Sequence, residues 1–307
     1  MKTLPLFVKT KGLNTVIDCS ESGYSQSSGV SFLAEALDVC VSDTGKIVRR
    51  SGFVKKTSGD YHSMFSYLGL SLLASGESLY RLNPDYSTTL VKSGLTTGAT
   101  YDYVGVNEDV YYTNGHEIGI IGKNAEWKSW SFTQYVGPVK NKTFQQPPVG
   151  HLITYHNGRM YVAVDNAVFH SEPFFYAAFD FARGYIPFSS RIRLLKAIPD
   201  GIFIGTEKEI FFLKGTGPAD FQMETVADYP ALINLSSMTT IDGQYIASGK
   251  MFIGKCAVIP TTKGICIGGK SWAGYFKNIS IDSIKYPSVL YCSSLVQKDK
   301  ILILINE

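Results

Sequence analysis

One strand–turn–strand phrase recurs along this chain, and it constrains the fold more than any other feature. It reads LGLSLLASGESLYRL from Leu68, NEDVYYTNGHEIGII from Asn107, NGRMYVAVDNAVFHS from Asn157, DGIFIGTEKEIFFLK from Asp200 and KGICIGGKSWAGYFK from Lys263. A shortened copy, KDKILILINE, begins at Lys298. Each copy places a polar or Gly-containing turn before a run of apolar β-formers, then a short polar break and a second apolar strand. A unit of several short strands that returns every 40–50 residues or roughly so is the pattern of a propeller blade. The expected fold is therefore all-β, a β-propeller of about six blades within a range of about five to seven. The range comes from the stretch between Asp200 and Lys263, which holds either one long blade edge or an extra degenerate blade.

Composition agrees with that reading. Of the 307 residues 45% are hydrophobic and 18% charged, which supplies a large core. The 19 Tyr and 18 Phe favour strands over helices, and 29 Gly suit a fold rich in turns. A net charge of +3 gives no electrostatic case for a protein that reads nucleic-acid sequence. The five cysteines (Cys19, Cys40, Cys256, Cys266 and Cys292) are odd in number and show no C-x-x-C spacing, so they read as small buried hydrophobes in a protein made in a reducing compartment. The opening MKTLPLFVKTKG has too short an apolar stretch for a signal peptide, and no run of about 18 apolar residues predicts a membrane span.

Two parts are expected: residues 1–60 as an N-terminal arm and β-hairpin that packs on or closes the ring, and residues 61–307 as the propeller. The Ser/Gly-rich SESGYSQSSGVS from Ser20 reads as a loop, and Gly29–Leu37 is the best helix candidate. Leu37, Val39 and Val41 alternate with polar or small residues, Asp43-Thr44-Gly45 turns the chain, and Ile47 and Val48 begin the return strand. The final ILILI would leave a bare edge, so Ile301–Ile305 is expected to pair with strands from the N-terminal region.

The passages Gly12–Phe53 and Cys256–Ile305 resemble the propeller proteins of tailed-bacteriophage virions: tail nozzle, tail hub or packaged-DNA-stabilising head-to-tail proteins. Ala36, Val39, Asp43, Gly45, Arg49, Arg50 and Gly52 match the opening phrase of those proteins, with Asp38 where Asn is usual. Val258, Gly264, Ile265, Cys266 and Asn278 match their closing blade, with Thr262 near its expected place. The resemblance implies a structural component of the virion, made in the host cytoplasm. It would form a ring of about six copies, bind portal or adaptor and other tail proteins, and touch packaged DNA non-specifically, with no membrane partner and no cofactor.

Residues of the types that carry chemistry read mostly as structure. Asp43-Thr44-Gly45 lacks the flanking residues of an aspartic-protease triplet and is taken as a turn. His62, His116, His151, His156 and His170 form no H-E-x-x-H, although His151 and His156 flank the start of one blade and could meet. KGTGPAD at Lys214–Asp220 lacks the ending of a phosphate-binding P-loop and reads as a surface turn. No G-x-S-x-G elbow or sialidase-type box occurs, so no catalytic, cofactor or metal residue is assigned. Arg49 and Arg50 are partner-binding candidates: as successive strand residues they face opposite ways, so that one can pair within the propeller as a structural salt bridge while the other projects to a partner or to DNA phosphate. The other partner-binding candidates are the aromatic clusters containing Trp127, Trp130, Phe174, Phe175 and Tyr176. Those aromatics have two readings, interface anchors or inter-blade core. Two other functions are kept open: a receptor- or glycan-binding propeller, and an enzyme using groups at the central channel.

Overall fold

The structure, a computed structural model, describes residues 54–134 and 142–234 without a break. Beyond them it describes the segments 10–13, 31–33, 39–41, 46–49, 240–242, 253–262, 264–270, 276–281, 291–297 and 300–306. Every regular element among the described residues is a strand.

The strands form successive antiparallel meanders in which order along the chain is order across the sheet. The first blade holds His62–Tyr67, Leu70–Ser75, Ser78–Leu82 and Thr88–Lys92. The second holds Asp102–Val106, Asp109–Thr113, Ile118–Ile121 and Trp127–Lys128. In the third, Leu152–His156, Arg159–Val164 and Ala167–Glu172 are followed by two short strands, Phe175–Phe179 and Tyr185–Pro187, that both pair with Ala167–Glu172. Ile192–Ile198, Gly201–Thr206, Ile210–Lys214 and Gln222–Ala227 make the fourth. The fifth is Thr240–Asp242, Ile253–Thr261, Gly264–Lys270 and Phe276–Ile281. A sixth, three-stranded sheet places Tyr291–Gln297 between Ile233–Asn234, which is parallel to it, and the antiparallel Lys300–Asn306.

The first strands of the first four blades neighbour one another in sequence, which makes them the inner wall of a ring. The hydrophobic core is correspondingly divided into one cluster per joint. Leu72, Leu79, Tyr101, Tyr103, Val110 and Tyr112 fill the space between the first and second blades. Tyr111, Trp130, Met160, Val162 and Phe179 fill the next joint. Tyr161, Val168, Ile192, Ile202 and Ile204 follow, and Leu194, Phe203, Phe212, Ala257 and Ile259 seal the fourth blade on the fifth. Burial of whole apolar side chains at each joint, about 1.5–3 kcal/mol apiece, is what holds such a ring together. The chain is a β-propeller.

Local sequence explains the turns. Asn157 and Gly158 both have positive φ (42° and 82°), the backbone of a tight hairpin turn that Asn-Gly adopts at little cost. Gly105, in the inner strand of the second blade, is needed for a different reason. A Cβ there would fall 2.4 Å from the Tyr67 ring, whose hydroxyl donates to the Asn107 carbonyl at 3.1 Å.

Six sheets of three or more strands are described, the central expectation from the repeats. Val39–Val41 and Ile47–Arg49 pair as the expected N-terminal hairpin, while its turn lies outside the described residues. Two expectations differ. Ser31–Leu33, inside the helix candidate, is a strand that pairs in parallel with Thr10–Leu13, so a partner strand overrides weak local periodicity. Among the described strands Ile301–Ile305 pairs with Tyr291–Gln297, and no pairing with a described N-terminal strand accompanies it.

Candidate functional site

The inner strands are stitched together by side-chain acceptors. Ser63 Oγ in the first blade accepts the Tyr101 N–H at the entry to the second, at 3.0 Å. Asp102 Oδ2 in the second accepts the Ile153 N–H in the third, at 2.7 Å. Thr154 Oγ1 in the third accepts the Ala197 N–H in the fourth, at 3.2 Å. An inner strand has no further strand on its axial side to satisfy these N–H groups, so a short polar side chain from the neighbouring blade does so. Burial, foremost, lifts the Asp102 carboxyl to about 6, against the opposing Ile153 hydrogen bond and the charge of Lys196. The same burial lowers the Lys196 pKa.

The sequence candidates separate into different environments. Trp130 is buried at 3% exposure, donates its indole N–H to the Tyr176 carbonyl at 3.1 Å, and meets Tyr111 edge-on at 5.3 Å between centroids. It belongs to the core of the second joint and is not available to a partner. Tyr176 sits beside it, edge-on to Tyr111 and Tyr155. Trp127 lies on the outermost strand, half exposed, with Lys92 Nζ 4.3 Å from its ring centroid and its indole N–H on the Tyr112 hydroxyl at 3.1 Å. Phe174 is 75% exposed with φ of 59°, a conformation costly for an aromatic residue. Its N–H donates to the Gly158 carbonyl, and its ring lies against Gly158. Phe175 is partly exposed beside it. Arg49 is exposed in the N-terminal hairpin, and Arg50 lies outside the described residues.

His151 and His156 do not meet. They stand at opposite ends of Leu152–His156, where His151 Nε2 donates to the Ile192 carbonyl at 2.7 Å and His156 Nε2 bonds the Gly215 carbonyl at 3.0 Å. Among the described residues no three His, Cys, Asp or Glu side chains gather as a metal site. In the KGTGPAD turn, the Asp220 carboxylate already accepts the Thr216 and Gly217 N–H groups, which leaves that loop acting as a closed turn.

Sequence reasoning missed a cavity of about 540 Å³ on the face where the inner strands begin. Its wall comes from the segments entering the second, third and fourth blades, from turns after the second strands of the second and fourth, and from Ile233. Its polar lining includes Arg191, Arg193, His116 and His151 together with the carboxylates Asp102 and Glu207. Arg191 and Arg193 flank Ile192, which is fully buried, and both line the cavity where the strand's register is irregular. Arg193 pairs with Glu207 at 3.2 Å, yet its buried Nε–H has no protein acceptor, an arrangement that costs about 1–3 kcal/mol. Arg191 is exposed and makes no ion pair with any described residue. Burial, and secondarily the Arg191 charge, holds the His151 imidazole below its ordinary pKa, against the opposing hydrogen bond to Ile192. The His116 turn is braced from behind: Glu117 accepts from the Thr96 hydroxyl and the Asn114 amide, both at 2.5 Å, and Asn114 Oδ1 accepts the His116 N–H at 2.9 Å.

No family model and no curated protein matches the chain. Solved structures match it in fold. BBS1N, crystallised in complex with ARL6DN, aligns with a TM-score of 0.52 at 12% identity over 87% of this chain and 84% of that one. The Neurospora crassa Pan2 WD40 domain gives 0.45 at 8% identity over 76% and 68%. The extracellular domain of the one-component system BT4673 from B. thetaiotaomicron gives 0.46 at 11% identity over 74% of this chain and only 29% of that longer one. At such identities the likeness is one of fold alone.

Proposed function

We propose that this propeller is a structural component of a tailed-bacteriophage virion, placed in the tail or the head-to-tail region. There it would ring the axis in several copies, about six by the resemblance, and bind portal or adaptor and tail proteins while helping to retain packaged DNA. The observation that carries this reading is the N-terminal hairpin. It occupies the passage that resembles the virion proteins, and its described strands pair only with each other. Ile47, Val48 and, just beyond, Val54 are 43%, 46% and 75% exposed, an apolar surface suited to burial against another protein. The rest of the molecule supports a rigid part in an assembly, since every described joint between blades is a packed core. A glycan-binding reading needs a platform of exposed aromatics, and most of the aromatic side chains described are committed to those cores.

The test is cryo-electron microscopy of purified particles with symmetry imposed along the tail axis. Propeller density against the portal or adaptor ring is the expected result. Absence of the protein from particles, with soluble monomer left in the lysate, would overturn the proposal.

A further inference from the structure

The cavity on the axial face has the chemistry of a binding site and no role in the proposal above. We propose that it is a socket for a small organic anion, a phosphate or carboxylate group held by Arg191 and Arg193 with its remainder against Leu152 and Ile233.

Three observations converge on an anion. Arg191 presents a guanidinium with no described carboxylate partner. Arg193 pairs through Nη2 with Glu207 and lines the cavity with its side chain still 20% exposed, so part of its planar donor fork is open to an acceptor. The remaining lining carboxylate, Asp102, is turned to the Ile153 N–H and lies near Lys196, so it neither neutralises Arg191 nor leaves the wall negative. His151 donates through Nε2 to the Ile192 carbonyl, which leaves Nδ1 as the ring's other polar atom, and the His116 ring bonds no side chain among the described residues.

Size and shape argue for a small molecule. About 540 Å³ is too large for one inorganic ion and lies within the usual range for small-molecule sites, about 300–1,000 Å³. The walls are preformed: the Thr96–Glu117–Asn114 hydrogen bonds fix one side, and the carbonyl of Arg191 accepts the Glu207 N–H on the other. A site assembled from three blades is held in place by the ring itself, so little ordering accompanies binding.

The experiment is calorimetric titration of the full chain with inorganic pyrophosphate, with citrate and with a single-stranded oligonucleotide. Arg191→Gln and the control Arg183→Gln, an exposed arginine away from the cavity, are titrated in parallel. Saturable binding of pyrophosphate or citrate is expected, weakened at least about tenfold by Arg191→Gln and unchanged by Arg183→Gln. Whichever probe binds distinguishes a phosphate socket from a carboxylate one. On the unmutated protein, the same titration followed by NMR should move the ring signals of His116 and His151 and leave those of His156 and His170 in place. Two inert small anions overturn the proposal, as does equal weakening by both substitutions. Binding of the oligonucleotide alone also overturns it and would assign this face to DNA. None of these outcomes depends on whether the protein is found in particles.

Discussion

The joint between the second and third blades is made of two unlike seams. At the inner wall a single carboxylate, Asp102, accepts the Ile153 N–H and lies within reach of the Lys196 charge. Farther out the same two blades meet through Tyr111, Trp130, Tyr176 and Phe179, rings in edge-on contact at 5.3–6.2 Å. The outer seam is non-directional and large, so it supplies most of the adhesion between blades. The inner seam is directional and small, and it fixes which residue of one inner strand faces which residue of the next. Charge also makes it sensitive to pH, which the aromatic seam is not.

The sharpest way to break this comparison is to hollow out the outer seam. Trp130→Ala is expected to cost about 3–5 kcal/mol in urea unfolding, from a lost ring, an abandoned Tyr176 carbonyl and an unfilled cavity. A loss below about 1 kcal/mol would mean that the aromatics are not what joins these blades. Next in size is the pH dependence of Asp102. Its folded-state pKa of about 6 lies above the ordinary 3.8, so between those values the folded chain holds a proton that the unfolded chain has released. The contribution to stability is therefore full below about pH 4 and is lost as pH rises through 6, by about 3 kcal/mol. Asp102→Asn keeps an acceptor for Ile153 and removes the titration. Unfolding of both proteins at several pH values from 4 to 7 should show that difference in slope; parallel curves would place the charge outside the inner seam.

The two seams were unequally legible. The strands announce themselves, because continuous apolar runs such as MYVAV and IFI mark strands buried on both faces. What such runs leave open is depth. Trp127 and Trp130 look equivalent in EWKSWSF, yet one opens a short outer strand and the other lies beyond it, tucked under the next blade. The axial cavity was less legible still. Arg191 and Arg193 come together with His116 and His151 only because the ring curves three blade entries toward one point. The adjacent pair Arg49-Arg50 is the denser cluster of charge in sequence. The stronger local signal was Arg191-Ile192-Arg193, two arginines about a buried residue at the start of an apolar strand.

A smaller effect sharpens the comparison at the neighbouring joint. Thr154→Val removes the acceptor for the Ala197 N–H while keeping the shape of the side chain, and should cost about 1 kcal/mol in denaturant midpoint terms. It carries no charge, so its cost should be the same at pH 4 and pH 7. A pH-dependent cost would show that Thr154 and the Asp102–Lys196 region act as one network.

The smallest expected effect belongs to Lys92 and Trp127, where the two-seam picture can be tested at its outer limit. Trp127 has an aromatic body like Trp130, but it packs on the rim of the sheet under a lysine and not between blades. If location and not residue type sets the contribution, Lys92→Ala should shift stability by less than about 1 kcal/mol, the range of a half-exposed cation–π contact. The shift should also shrink in high salt, and Trp127 fluorescence should change while the unfolding midpoint hardly moves. A cost comparable to that of Trp130→Ala would mean that the rim also holds blades together, and the division between an adhesive outer seam and a registering inner one would have to be redrawn around the sheet edges.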